Sequence, residues 1–232
     1  MRQIPLGVRL PDRAVFASFF PGRNAQALEH ARRIAAAPSA GITWLCGPEG
    51  SGKTHLLQAI CAAASGEGRA GYLPLAQLAP LGVGVLEGLP RLSCLCLDDL
   101  ERVLGQPEWE RAMFALLREL QEAGGHLVVT ASAAPALMHW SLADLGSRCA
   151  AAAIFPLQPL DEGEQQEALK LRARLRGVEL PPETLQWLQR RLPRDMRTLY
   201  GLLDRLDEAA LAAQRRLTIP FIREVLREHR ES

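Results

Sequence analysis

The stretch Gly47-Pro-Glu-Gly-Ser-Gly-Lys-Thr54 constrains this chain more than any other feature. It fills every fixed position of the phosphate-binding pattern G-x-x-x-x-G-K-[ST]. The apolar run 42–46 before it predicts a buried strand, and residues 54–64 after it have apolar side chains at helical spacing. A strand, a glycine loop and a helix in this order direct backbone N–H groups at a phosphate. An ordinary glycine-rich turn is the alternative interpretation.

The chain has only two lysines, Lys53 and Lys170, and one of them stands at the lysine position of this pattern. A compact ammonium fits a tight backbone cradle better than the wide guanidinium of arginine. Lys53 would contact the β- and γ-phosphates, and Thr54 would ligate Mg²⁺. The predicted cofactors are therefore ADP or ATP with Mg²⁺. The glycines expected to line the phosphates are Gly47, Gly50 and Gly52.

A second acidic element follows the run Leu92–Leu97, which predicts another buried strand. Asp98 would complete the Mg²⁺ shell, and Asp99 would polarise the attacking water in catalysis. A turn-forming aspartate pair after a strand is the simpler alternative. Thr130 ends the next strand and could sense the γ-phosphate, although a hydroxyl at a strand end is common.

The overall composition limits the classes of protein to which this chain could belong. A net charge of +1, with 48% hydrophobic and 23% charged residues, is ordinary for a globular protein and argues against strong direct DNA binding. The absence of a long apolar run argues against membrane insertion, and the N-terminus lacks the apolar core of a secretory signal. Five cysteines, mostly in apolar runs, are typical of a reducing compartment, so we expect a cytoplasmic location.

Apolar strands alternate with helices up to residue 159, which predicts an α/β domain with a parallel sheet flanked by helices. After residue 159 only helical patterns remain, which predicts a small all-α lid. The predicted organisation is an extended segment (1–12), an α/β nucleotide-binding domain (13–159) and a helical lid domain (160–232). The strands are expected near 42–46, 71–75, 92–97, 126–130 and 150–157, and the lid helices near 161–176, 182–191, 195–213 and 219–229.

Two arginines draw attention by their position. Arg148 precedes the last strand, where it could reach a nucleotide on a neighbouring subunit, and Arg197 opens a lid helix. In an arginine-rich chain a solvated surface residue is the commoner explanation for each. Arg172, Arg174 and Arg176 are expected on a solvated helix face.

Taken together, these features resemble those of the AAA+ ATPases. The resemblance implies a five-stranded parallel sheet. Asp-Asp in place of Asp-Glu resembles the DnaA initiator, and further segments are similar to the Hda family of short DnaA-related regulatory inactivators. They run through nearly the whole chain. The segments are Phe16–Gly22, Val85–Gly88, Leu157–Leu160, Leu171–Gly177, Met196–Leu199 and Ala213–Phe221.

The resemblance implies a negative regulator of replication initiation. It implies catalysis by Arg148 in trans on ATP bound to DnaA, contact of Arg197 with the nucleotide, and docking on the DNA polymerase III sliding clamp (the β subunit). The segment Gln3-Ile-Pro-Leu-Gly-Val8 resembles the clamp-binding peptide of the family. Gln3 would make polar contacts, while Ile4, Leu6 and Val8 would enter a groove. Because the given sequence continues only to Ser232 after the lid, without the helix-turn-helix domain of the initiator, we expect no direct reading of origin DNA.

Departures from the family pattern leave other functions open. The intact Lys53-Thr54 pair leaves intrinsic ATPase activity open, and a homo-oligomer is possible. Ser132 and Ala133 stand where the family tends to have aspartate and arginine. The alternatives are a helicase-loader-like or transposition-helper ATPase driven by its own hydrolysis, and a nucleotide-dependent scaffold.

Overall fold

A computed structural model describes residues 14–67, 70–178, 180–191, 196–213, 217 and 219–228. The chain divides into two compact units, with the boundary between Pro159 and Leu160. Within the described residues, no helix is long and apolar enough to cross a membrane.

The first unit is built on one parallel sheet. Its strands are β1 (Gly41–Cys46), β2 (Ala70–Pro74), β3 (Cys94–Asp98), β4 (His126–Ala131) and β5 (Ala153–Pro156). They lie in the order β2-β3-β4-β1-β5, and all neighbours are parallel, so the predicted five-stranded parallel sheet is confirmed. Because all strands run the same way, their carboxyl ends lie at one edge, where ligands of such sheets bind.

Helices cover both faces of this sheet, and the pleat divides the core between the two faces. The helices of this unit are α1 (Ala25–Ala36), α2 (Lys53–Glu67), α3 (Leu75–Leu78), α4 (Pro107–Glu122) and α5 (Ala143–Ala150). On β1, Trp44 packs toward α3, α4 and α5, while Leu45 packs toward α1 and α2. On β3, Leu95 and Leu97 face the same helices as Trp44, and the buried thiol of Cys96 faces α1 and α2.

The expected last strand over 150–157 begins too early. Residue Ala150 ends α5, and β5 covers only Ala153–Pro156. Residues 150–152 are all alanine, which favours helices and is depleted in strands, so they suit the end of α5 better than a strand. Arg148 consequently lies in the last turn of a short helix.

The second unit contains the helices α6 (Glu162–Leu175), α7 (Pro182–Arg191), α8 (Met196–Ala213) and α9 (Ile219–Glu228). Asp161 and Glu164 form a reciprocal capping box at the start of α6, with both hydrogen bonds at 2.9 Å. The expectation of a solvated face for Arg172 and Arg176 is wrong. Both guanidinium groups are largely buried and form ion pairs with Asp204 on α8.

A chain of hydrogen bonds ties α1 to the amino ends of β1 and β4. The carbonyl of Ser39 can only accept, so Nδ1 of His126 donates to it at 2.7 Å. The Thr43 hydroxyl then donates to Nε2 of His126 and accepts from Nε2 of His30, each at 2.8 Å. Nδ1 of His30 in turn accepts from Arg33 at 2.8 Å. Every donor in this series of hydrogen bonds meets an acceptor only if both imidazoles are neutral.

This series of hydrogen bonds predicts that the folded protein loses stability in mild acid. Burial lowers the pKa of His126, and burial together with Arg33 and His126 lowers the pKa of His30, both from 6.5. The unfolded chain then binds more protons than the folded protein as the pH falls through 6.5, so the free energy of unfolding decreases. Urea denaturation at about pH 7.5 and about pH 5.5 measures the difference.

The double variant His30→Gln/His126→Gln should show a weaker pH dependence over this interval. His139, an exposed histidine, offers the matched control, because His139→Gln should leave the dependence unchanged. An identical pH dependence in the double variant and the wild type would contradict this explanation.

Candidate functional site

The glycine loop between β1 and α2 is shaped by close backbone contacts. Gly47 has φ +145°, and a Cβ there would lie 2.3 Å from the carbonyl oxygen of Leu157. Gly52 has φ +92°, and its missing side chain leaves room for the ring of Phe19, only 3.0 Å from where a Cβ would stand. A side chain at Gly47 would collide with the backbone of Leu157, and one at Gly52 would press on the Phe19 ring. The glycines therefore allow a tight loop at the start of α2.

The polar groups of this loop suit an anion. The ammonium of Lys53 donates to the carbonyl oxygens of Gly47 at 2.7 Å and Pro48 at 2.9 Å, which keeps the positive charge over the loop. The hydroxyl of Ser51 is buried without a hydrogen-bond partner among the described residues. The first N–H groups of α2 have no partner within the helix. The loop thus offers a cation and unsatisfied donors, a combination that fits phosphate oxygens.

Asp98 lies at the carboxyl end of β3 and is almost completely buried. Its carboxylate accepts hydrogen bonds from the hydroxyls of Thr54 at 3.2 Å, Tyr72 at 2.8 Å and Thr130. A buried carboxylate is costly unless such donors compensate for lost water. The structure therefore brings together Thr54 and Asp98, the two residues predicted from the sequence to ligate Mg²⁺.

Thr130 and Asp99 are linked through the backbone. The Thr130 hydroxyl accepts from the backbone N–H of Asp99 at 2.9 Å while donating to Asp98. Asp99 is the one non-glycine residue with positive φ (57°) in the described part of the chain. Thr130 is fully buried, and its hydroxyl proton is committed to Asp98. In this geometry Thr130 positions the two aspartates, and its hydroxyl does not project toward an open site.

Tyr72 is a member of this cluster that the sequence did not reveal. It lies on β2 opposite Cys96, and its long side chain reaches along β3 to Asp98. Gln58 on α2 donates to the same phenol oxygen at 3.1 Å. Burial, followed by the charge of Asp98, raises the pKa of Tyr72, so the phenol remains a proton donor. A polar aromatic residue in an otherwise apolar strand was the signal available in the sequence.

No group of three or more His, Cys, Asp or Glu residues that could hold a metal ion is found where the structure describes the chain. Mg²⁺ commonly binds through one or two carboxylates together with substrate phosphates. Asp98 and Thr54 fit that mode, in which the phosphates supply further oxygen ligands.

Arg148 is exposed, and its guanidinium is held only loosely against α4. It lies 5.0 Å from the ring centroid of Phe114, and its Nη1 donates to Oε1 of Gln121 at a long 3.5 Å. Contacts of this kind are weak at exposed sites. The guanidinium can therefore leave α4 for a stronger anionic partner at little cost.

Several residues predicted from the sequence lie outside the described structure. They include the whole N-terminal peptide and the side chain of Arg197, whose backbone belongs to α8. The peptide residues concerned are Gln3, Ile4, Leu6 and Val8.

Comparison with known proteins finds similar sequences and structures. Residues 161–226 match the family model described as the Hda lid domain. The structure is similar to domain III of the replication initiation protein DnaA from Thermotoga maritima, with a TM-score of 0.77 and 22% identity over 95% of this chain and 98% of that chain.

Two further solved structures share the fold. AMPPCP-bound DnaA from Aquifex aeolicus has a TM-score of 0.71 and 19% identity over 96% of this chain and 71% of that chain. RuvB from Thermotoga maritima, a Holliday junction branch migration motor, has a TM-score of 0.55 and 18% identity over 86% of this chain and 68% of that chain. The chain thus has the fold of DnaA domain III, and residues 161–226 match the Hda lid family.

Proposed function

We propose that this chain is a negative regulator of replication initiation that binds a nucleotide itself and stimulates hydrolysis of ATP held by DnaA. The observation that carries the proposal is an exposed arginine, Arg148, on a DnaA-like AAA+ domain whose lid matches the Hda family. An arginine that acts on another protein's nucleotide has to reach the surface, and Arg148 does.

The nucleotide, ADP or ATP, would be held by the glycine loop with Lys53 on its phosphates. The unsatisfied Ser51 hydroxyl and the close-packed glycines support this assignment. Similar DnaA structures bound to AMPPCP support it as well. Thr54 and Asp98 would take Mg²⁺, and Arg197 from the lid would contact the nucleotide. The cation would neutralise phosphate charge, while Tyr72 and Thr130 hold the Asp98 carboxylate in place.

In the partner's site Arg148 would act as an arginine finger. Its planar guanidinium can donate two parallel hydrogen bonds to phosphate oxygens, where negative charge builds up during transfer. A finger supplied in trans is worth about 10³–10⁵ in hydrolysis rate. DnaA would pass to its ADP form, and further initiation would be suppressed.

Docking on the DNA-loaded sliding clamp would bring the two proteins together. After Gln3, the apolar residues Ile4, Leu6 and Val8 stand at alternate positions, the spacing that an extended peptide uses in a groove. Tethering both proteins to one DNA raises their effective concentration without any new contact.

Clamp docking predicts a specific loss in a pull-down assay. Gln3→Ala combined with Leu6→Ala should lower recovery of this protein on the immobilised clamp by about tenfold or more, because each truncation removes a central contact. Arg9→Ala, in the same segment but outside the motif, serves as the control. Equal recovery of the double variant and the wild type would refute clamp docking through this peptide.

A second function, hydrolysis of this protein's own ATP, would use Lys53, Thr54 and Asp98 together with Asp99. A helicase-loader-like or transposition-helper ATPase would turn over ATP by itself, with Asp99 polarising the water. Substantial turnover by the isolated protein, without any response to the clamp, would favour that function. A nucleotide-dependent scaffold needs no hydrolysis, so it would function normally with the substitution Asp99→Asn.

A further inference from the structure

Glu110, on α4, is the one glutamate that the structure shows fully buried among the residues it describes. Its carboxylate accepts three backbone hydrogen bonds. Oε1 accepts from the N–H groups of Gly105 at 2.7 Å and Ser141 at 3.1 Å, and Oε2 accepts from Leu142 at 2.6 Å. Burying a carboxylate is tolerated only with such compensation, and bonds to a charged acceptor are stronger than neutral ones. The carboxylate therefore fixes these two backbone segments to α4.

Two of those donors lead directly into α5. Ser141 and Leu142 are the last residues before the helix, and Leu142 flanks its first turn. A helix of eight residues is too short to be stable alone, so tertiary contacts set its position. The negative charge of Glu110 also lies near the positive end of the α5 dipole, which favours the same arrangement.

The other end of α5 rests on the same helix. Arg148, in the last turn, lies against Phe114 and Gln121, which follow Glu110 on one face of α4. The neighbouring thiol of Cys149 is buried, and burial, together with the Glu110 charge, raises its pKa to about 12. A single helix face thus contacts α5 at its entry and beneath its arginine.

Trp140 braces the middle of α5. Its indole packs against Gly146, where a Cβ would lie only 2.9 Å from the ring, and its Nε1 donates to the carbonyl of Pro135 at 2.9 Å. Glu110 anchors the chain directly after Trp140. The Glu110 carboxylate and the Trp140 ring together restrict the orientation of α5.

We propose that Glu110 is a positioning residue for Arg148, acting through the N-terminal end of α5 without touching the nucleotide. The inference rests on the proposed role of Arg148 in trans. Loss of the carboxylate would let α5 shift, and a misplacement of about 1 Å can lower a rate by 10²-fold.

Glu110→Gln tests the proposal with little change in shape. The carboxamide has one acceptor oxygen and directs N–H groups at backbone donors. In DnaA-bound ATP hydrolysis with DNA-loaded clamp, we expect the maximal stimulation to fall roughly 10- to 100-fold. The concentration of this protein that gives half-maximal stimulation should stay the same, since docking does not involve Glu110.

Two controls separate positioning from loss of stability. Glu119→Gln changes an exposed carboxylate on the same helix and should stimulate like the wild type. Ile34→Ala opens a cavity on the opposite face of the sheet and so lowers stability away from α5. At a temperature where Ile34→Ala and Glu110→Gln are both folded, Ile34→Ala should keep its maximal stimulation. Hydrogen exchange of the free protein should show faster exchange over residues 141–150 for Glu110→Gln alone.

The proposal is overturned if Glu110→Gln retains the stimulation of Ile34→Ala, or if exchange over residues 141–150 is unchanged. Failure of the proposed function has a different signature. In that case Arg148→Ala stimulates as well as the wild type, and the exchange measurement still decides whether Glu110 fixes α5.

Discussion

Arg148→Ala is expected to lower the stimulation of DnaA-bound ATP hydrolysis by about 10³-fold or more, the range attributed to an arginine finger. Among the described residues, the exposed side chain makes only a long hydrogen bond and a ring contact, so its removal should leave the fold intact. Clamp binding and nucleotide binding by the variant should therefore match the wild type. The measurement is single-turnover hydrolysis of ATP preloaded on DnaA, with DNA-loaded clamp present.

Arg118 provides the matched control for this experiment. It is an exposed arginine on α4 with a surface ion pair to Glu122 at 3.8 Å, and such pairs contribute little. Arg118→Ala should stimulate like the wild type. Arg148→Lys should recover only a small part of the activity, because an ammonium lacks the planar fork of the guanidinium. Full stimulation by Arg148→Ala would refute the finger assignment.

Lys53→Ala should weaken ADP and ATP binding by this protein at least 10- to 100-fold, the equivalent of losing a charge-assisted hydrogen bond of about 1.5–3 kcal/mol. Lys53 is the one cation of the glycine loop, and its ammonium is already held over it. Fluorescent nucleotide titration measures the affinity. If the bound nucleotide sets the shape of the protein, stimulation of DnaA should decrease in parallel.

The only other lysine in the sequence supplies the control. Lys170 lies on α6 and pairs with Glu167 on the surface at 2.7 Å, so Lys170→Ala should bind nucleotide normally. Unchanged nucleotide affinity in Lys53→Ala would show that the loop does not serve as a phosphate site in this protein.

The sequence predicted the parts of the site that depend on local pattern. The glycine loop, the strand ending at Asp98 and the strand ending at Thr130 are each visible as an apolar run followed by polar residues. Because parallel strands end at one edge, their meeting could be expected. The contact of Thr54 with Asp98 joins residues 44 positions apart, yet follows from that topology.

Other parts could not be predicted because they depend on packing between distant segments. The eight-residue α5 has no long periodic pattern, and its position depends on Glu110, which stands among apolar residues of α4. A carboxylate on that apolar face was the available signal. The sequence likewise predicts a solvated face for Arg172, because its partner Asp204 is 32 positions away and leaves no local signal.

The central claim is that the important hydrolysis takes place on a partner. The most direct test follows labelled ATP preloaded on DnaA after this protein is added, with and without DNA-loaded clamp. We predict conversion to ADP about 10³-fold or more faster than with DnaA alone, only when both the protein and the loaded clamp are present. No acceleration under those conditions, with ATP turnover confined to this protein itself, would contradict the account.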